Sequence, residues 1–264
     1  MSRLSYLTRK SLISSIMAVT TLAIGRPGLA LQYNPPNRGA PSNTWDAGSR
    51  TGPCGNLTAV QPTQTNWGET LMAHPTFGIY VSEPAADLTF ELRDERSQEI
   101  LHRVTFEQIQ GPGISLYTLP DTVLALESDQ YYRWQVSLNC EQFNTDRIQY
   151  TGDRQSGGMI IRRVASEELQ ASLETTADDE KPALLAANGL WYDMVHSLLM
   201  QQVHQIETET EKWTEAWQKL LVHPMVQLNN LMDATLVDCC LAVSCLTPSS
   251  SDSESSDTVL SAPR

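Results

Sequence analysis

Between Leu57 and about Arg163 the apolar positions recur every second residue. Phe77, Ile79 and Val81 alternate with Thr76, Gly78 and Tyr80. Leu88, Phe90 and Leu92 alternate with Asp87, Thr89, Glu91 and Arg93, and Tyr132, Trp134, Val136 and Leu138 alternate with Tyr131, Arg133, Gln135 and Ser137. Successive side chains of a strand point to opposite faces, so each run has one buried and one wet side, the mark of antiparallel sheets covered on one face. Turn signals separate the runs at Glu83-Pro84, Asp94 to Ser97, Gly111-Pro112-Gly113 and Leu119-Pro120-Asp121. Further strands are predicted near 57–61, 99–106, 114–118 and 158–163, seven or eight in all. Short strands at this spacing predict an immunoglobulin-like or fibronectin-III-like sandwich. Leu126, six residues before Tyr132, fits a tyrosine corner, in which the hydroxyl ties back to upstream backbone; two ordinary core residues would give the same pattern.

After about Val164 the period lengthens to three and four. Val164, Leu169 and Leu173 suit a first helix, and Pro182 stands in the first turn of a second that runs Ala183 to Asn188. Trp191, Met194, Val195, Leu198 and Leu199 form an amphipathic stripe. Trp213, Trp217, Leu220 and Leu221 share a face between Glu209 and Val222, and a last helix is predicted over Met225 to Val237. The Gly189, Trp191, Met194, Leu198 spacing resembles the second half of one tetratricopeptide-type hairpin, without a second copy at 34 residues. The predicted fold is therefore an all-β sandwich over 57–163 followed by a small all-α region over 164–238, α+β overall. Trp191, Trp213 and Trp217 are the aromatic surface of that helical part, either docked on the sandwich or offered as an interaction face.

The ends of the chain carry a different message. Arg3, Arg9 and Lys10 precede an apolar stretch from Ser11 to Ile24, and Gly28 and Ala30 place small residues before a cut, the three regions of a signal peptide over 1–30. Residues 31–56 form a Pro/Gly-rich leader, and 239–264 a cysteine-containing, acidic, Ser-rich tail of disordered composition. Removing residues 1–30 takes four basic and no acidic residues from totals of 18 and 31, leaving a formal charge of −17. Such a surface neither neutralises nucleic-acid phosphate nor approaches an anionic membrane.

In the oxidising compartment that export implies, Cys54 and Cys140 can pair as a structural disulfide; two buried free thiols are the alternative. The bridge would close a loop of about 87 residues and contribute about 4–5 kcal/mol at most. Cys239, Cys240 and Cys245 leave an odd cysteine, suited to a local disulfide or a soft metal.

Sites of chemistry are sparse. No nucleophile elbow, zinc helix motif, phosphate loop or EF-hand occurs. His74 reads as a turn-capping histidine, and His196 and His204 stand two helical turns apart, with Glu207 as the third member of a loose surface site at best. No catalytic, cofactor-binding or metal residue is assigned, and no cofactor is implied.

Several segments together resemble a cyanobacterial exported family of unknown function: Pro35-Pro36-Asn37-Arg38-Gly39, Gly52-Pro53-Cys54-Gly55, His74-Pro75-Thr76-Phe77, Tyr132-Arg133-Trp134 running to Cys140, and Gly189-Leu190-Trp191-Tyr192-Asp193. Met194 and the Cys239-Cys240 tail depart from its pattern. The resemblance implies export to the periplasm or beyond, and places Cys54 and Cys140 on the family's two cysteine positions. It implies no reaction. The expected function is a non-enzymatic envelope module that binds another exported protein; the alternatives are a hydrolase with a scattered site, or a carbohydrate-binding sandwich, which needs exposed coplanar aromatics.

Overall fold

The computed structural model describes residues 31–36, 55–138, 154–204 and 210–238. The predicted signal peptide, most of the leader, all five cysteines and the acidic tail lie outside the described residues.

Among the described residues nine strands form two sheets. The first orders β1 (Leu57–Ala59), β3 (Thr76–Val81), β6 (Gly113–Thr118) and β9 (Leu236–Asp238); the second orders β2 (Trp67–Thr70), β8 (Arg154–Arg162), β7 (Tyr131–Leu138), β4 (Ala85–Asp94) and β5 (Ile100–Ile109). The inward phase of each alternating run meets the other sheet: Phe77 of the first lies 4.9 Å, centroid to centroid, from both Phe90 and Trp134 of the second. Tyr117 meets Phe90 at 4.7 Å. The backbone N–H of Glu127 donates to the Tyr132 hydroxyl at 2.8 Å, so that tyrosine does tie to upstream backbone.

Two pairings depart from the antiparallel expectation. β2 runs parallel to β8, with Trp67 opposite Met159, and β9 runs parallel to β6, with Ile114 opposite Leu236. β2 escapes a period-two reading because its four residues are all buried, on both faces. The helix predicted over 225–237 is replaced by a turn, a 3-10 turn (Asn229–Leu231) and β9. Gln227 has a positive φ of 51°, which stops helical propagation. Val226, Leu228 and Leu231 are buried in the core, and Ile114 N–H on β6 donates to Thr235 O at 2.8 Å.

Four helices among the described residues complete an α+β architecture: α1 (Glu167–Thr175), α2 (Lys181–Ala187), α3 (Trp191–His204) and α4 (Thr210–Leu221). Ser166 caps α1 by accepting the Leu169 N–H, and Glu167 and Glu168 favour its positive end. α2 begins with Pro182 in its first turn and is separated from α3 by Gly189 at φ +74°, a left-handed position that a side chain resists. No helix among the described residues is long and apolar enough to cross a membrane.

α3 packs on β2 and β3. Sheet and helix residues share one hydrophobic core, which includes Trp191, Trp213 and Trp217 at 0, 3 and 2% exposure. The face these tryptophans form is thus taken up inside the chain rather than presented to solvent. An N-terminal strap joins them. Tyr33 inserts at 2% exposure with its ring 5.1 Å from that of Trp191, while Asn34 N–H donates to Ala186 O at 3.0 Å.

Candidate functional site

The wet phase of the second sheet faces away from the core. Thr89, Glu91 and Arg93 on β4, Arg103 and Thr105 on β5, Gln135 and Ser137 on β7 and Gln155 on β8 line one shallow groove of about 420 Å³. Strand register builds it, with Glu91 opposite Arg103 on β5 and Gln135 on β7. Glu91 sits between two guanidiniums: one carboxylate oxygen accepts from Arg93 Nε, the other from Arg103 Nε at 2.8 Å and from Arg103 Nη2. Its side chain is 11% exposed, against 36% for Arg93 and 56% for Arg103. Burial alone would raise its pKa, but the hydrogen bonds and charges of Arg103 and Arg93 outweigh that and hold the carboxyl below its ordinary range.

Two cations thus share one anion, and the more exposed partners are the cations. Thr89 and Thr105 add a hydroxyl pair at 3.0 Å, and Gln135, Ser137 and Gln155 add amide and hydroxyl groups. The lining contains no aromatic ring on which a sugar would stack. Its chemistry is multivalent hydrogen bonding to an acceptor-rich ligand, with a surplus positive charge on a chain of net −13. Toward β2 the same face turns apolar, where Trp67, Met159 and Ile161 form a small cluster of their own.

A second cleft of about 310 Å³ at the sheet's end is lined by Glu95, Arg96, Ser128, Asp129, Gln130 and Tyr131. Its neighbouring cations are paired. Arg133 binds Glu95 through two bonds of 2.9 and 2.8 Å, and Arg163 bridges Glu69 and Asp129.

Behind the groove a buried polar node joins sheet to helix. Trp134 Nε1 donates to the Tyr192 hydroxyl at 2.7 Å, which donates to Met159 O at 3.1 Å. Gln61 Nε2 donates to Asn66 Oδ1 and Gly157 O, and Trp191 Nε1 to Val60 O at 3.0 Å. Half-buried Asp193, in the first turn of α3, accepts the Leu71 N–H at 3.1 and 3.2 Å just past β2. Burial pushes its carboxyl up to about 6, against the opposing hydrogen bonds of Thr70 and Leu71.

Of the residues singled out in the sequence, His74 does hold a turn: Nε2 lies 3.0 Å from Val123 O and Nδ1 3.3 Å from the Asp121 carboxylate. His196 is exposed on α3, while the side chains of His204 and Glu207 lie outside the described residues, as do Cys54, Cys140, Cys239, Cys240 and Cys245. No group of three or more His, Cys, Asp or Glu side chains suited to a metal ion occurs among the described residues. The groove residues escaped notice in the sequence because only register brings Arg103 beside Glu91; the available signal was Glu91 and Arg93 standing together on the wet phase of one run.

No curated protein matches this chain. Residues 41–236 match the family model described as Domain of Unknown Function (DUF928), a span that takes in β1 to β8, α1 to α4 and the first residue of β9, and the chain belongs to that family.

Proposed function

We propose that this chain is exported, its signal peptide removed near Ala30, and that it acts in the periplasm or outside the cell as a non-enzymatic module binding another exported protein through the groove. The observation that carries this reading is the pair of exposed guanidiniums, Arg93 and Arg103, sharing the single carboxylate of Glu91 on an otherwise acidic chain. A carboxylate fixed between two cations stays ionised and makes a poor proton donor, so the arrangement favours recognition over acid catalysis. The ligand it fits is an extended peptide segment carrying carboxylates, its backbone and side chains read by the Thr, Ser and Gln groups of the floor.

The finer architecture belongs to the same proposal. The facing sheets and the tie from Glu127 to the Tyr132 hydroxyl support an immunoglobulin/fibronectin-III-like sandwich. A Cys54–Cys140 bridge and a cyanobacterial source follow from the resemblance in the sequence.

The test places a photo-crosslinking residue at Gln135 and irradiates the intact envelope. Mass spectrometry should identify one exported protein attached to the wild-type groove, and Arg93→Glu should abolish the adduct while circular dichroism shows the fold intact. An adduct equally abundant in Arg93→Glu would refute the groove as the binding surface. N-terminal sequencing of the same material should begin near Leu31; an intact Met1 on a cytoplasmic protein would refute export.

A further inference from the structure

We propose that the outer edge of β5 pairs with the β5 of a second copy of this chain, antiparallel about a twofold axis at Thr105, joining two five-stranded sheets into one of ten strands. This goes beyond the binding reading and does not depend on what the groove holds.

β5 ends its sheet, with β4 its only strand neighbour among the described residues. An edge strand presents unpaired N–H and C=O groups that template another strand unless it is short, covered, bulged, charged or interrupted by proline; the irregularities of β5, a register shift between His102 and Ile100 and a positive φ at Gln108, lie outside Arg103–Glu107. β1 and β9 have three residues each and β2 has four, whereas β5 has ten and contains no proline. Arg103, Thr105, Glu107 and Gln108 along it are exposed.

The charges select a second copy and fix its register. On the outer face Arg103 and Glu107 stand two residues to either side of Thr105. Antiparallel pairing about Thr105 therefore sets Arg103 of each copy opposite Glu107 of the other, giving two opposite-charge pairs. Moving the axis two residues toward either end sets Arg103 against Arg103 or Glu107 against Glu107. Centring it on Val104 or Phe106 leaves both charges facing neutral residues. Within its own sheet Glu107 lies opposite Asp87, a like-charge pair that costs free energy, and no cation among the described residues is paired with Glu107. The second copy's Arg103 supplies the missing partner. On the inner phase Val104 meets Phe106 across the same axis, extending the apolar side of the sheet. The union also aligns two grooves, since Arg103 and Thr105 line both the groove and the seam.

Sedimentation of the purified chain over a range of concentrations at low ionic strength reads the association. Wild type should dimerise reversibly and more weakly as salt rises. Glu107→Arg and Arg103→Glu should each weaken the dimer on the order of tenfold or more, since each turns two attractive cross-strand pairs repulsive. An equimolar mixture of the two variants should recover association, because the mixed pair restores both opposite-charge contacts. A wild-type chain that stays monomeric, or variants that associate as wild type does, would overturn the proposal. Should Arg103→Glu fold poorly beside Glu91, Thr105→Cys decides. Oxidation should give a peptide linked through position 105 of both copies, whereas Thr89→Cys, one strand inward, should not; equal linkage at both positions, or none at 105, overturns the pairing.

Discussion

Replacing Tyr192 by Phe removes one oxygen from the place where helix and sheet are joined. That hydroxyl is buried, accepts from Trp134 Nε1 at 2.7 Å and donates to Met159 O at 3.1 Å. The ring remains, so its edge contact with Phe77 at 5.6 Å persists and no large cavity opens. What changes is hydrogen bonding. The Trp134 indole N–H is left buried without its acceptor, at a cost of about 1–3 kcal/mol, and Met159 O loses the hydroxyl that donates to it. A total near 2 kcal/mol, divided by a urea dependence of about 2 kcal/mol/M, lowers the unfolding midpoint by about 1 M. The assay is equilibrium urea unfolding followed by tryptophan fluorescence and far-UV circular dichroism together. The two signals should shift in parallel with unchanged slope, since one core spans both halves. A midpoint within experimental error of wild type would refute the reasoning. Separate fluorescence and dichroism transitions would refute the single core.

The remaining predictions concern the same joint. Asp193 has a folded pKa raised to about 6, so the folded state holds a proton that the unfolded state releases, and stability rises as pH falls from above 6 toward 4. The rise from 3.8 to about 6 corresponds to about 3 kcal/mol at most, and solvent screening at a half-buried position brings it to about 1–2 kcal/mol. Asp193→Asn should remove that slope from paired urea titrations at pH 7 and 4.5; an unchanged slope refutes the assignment. Gly189→Ala forces a side chain to φ +74° and sets its Cβ 2.8 Å from Asn34 O, so it should cost about 1–2 kcal/mol and lower Tm by about 3–8 °C in a thermal melt. Tyr33→Ala empties a site 2% exposed against Trp191 and should cost about 3–5 kcal/mol, read by calorimetry; a loss under 1 kcal/mol would show that the strap is dispensable.

The alternating runs were legible because one face of each strand is wet. β3, β4 and β7 stand where Phe77, Phe90 and Trp134 placed them, α2 and α4 begin and end within two residues of their sequence limits, and α3 runs on to His204, five residues past the last position of its apolar stripe. β2 was not legible, since a strand buried on both faces carries no period, nor was β9, three residues reached through irregular backbone whose buried Val226, Leu228 and Leu231 have a spacing that also suits a helix. The three tryptophans were legible as an apolar face, but apolar periodicity does not say whether the partner is the same chain or another. The groove was half legible: Glu91 and Arg93 share a phase within one strand, whereas Arg103 joins them only through pairing twelve residues away.

The contact of Tyr33 with both Trp191 and His223 has a consequence for the order in which the chain becomes itself. The strap meets residues about 190 positions downstream, and β6 gains its parallel neighbour only when β9 arrives. Closing such distant pairs is slow, so the ribosome releases nearly the whole polypeptide before the last pieces of the core can seat. Until then the core lacks both its N-terminal strap and the parallel neighbour of β6, and it closes only when Tyr33 reaches His223 and Leu236 reaches Ile114.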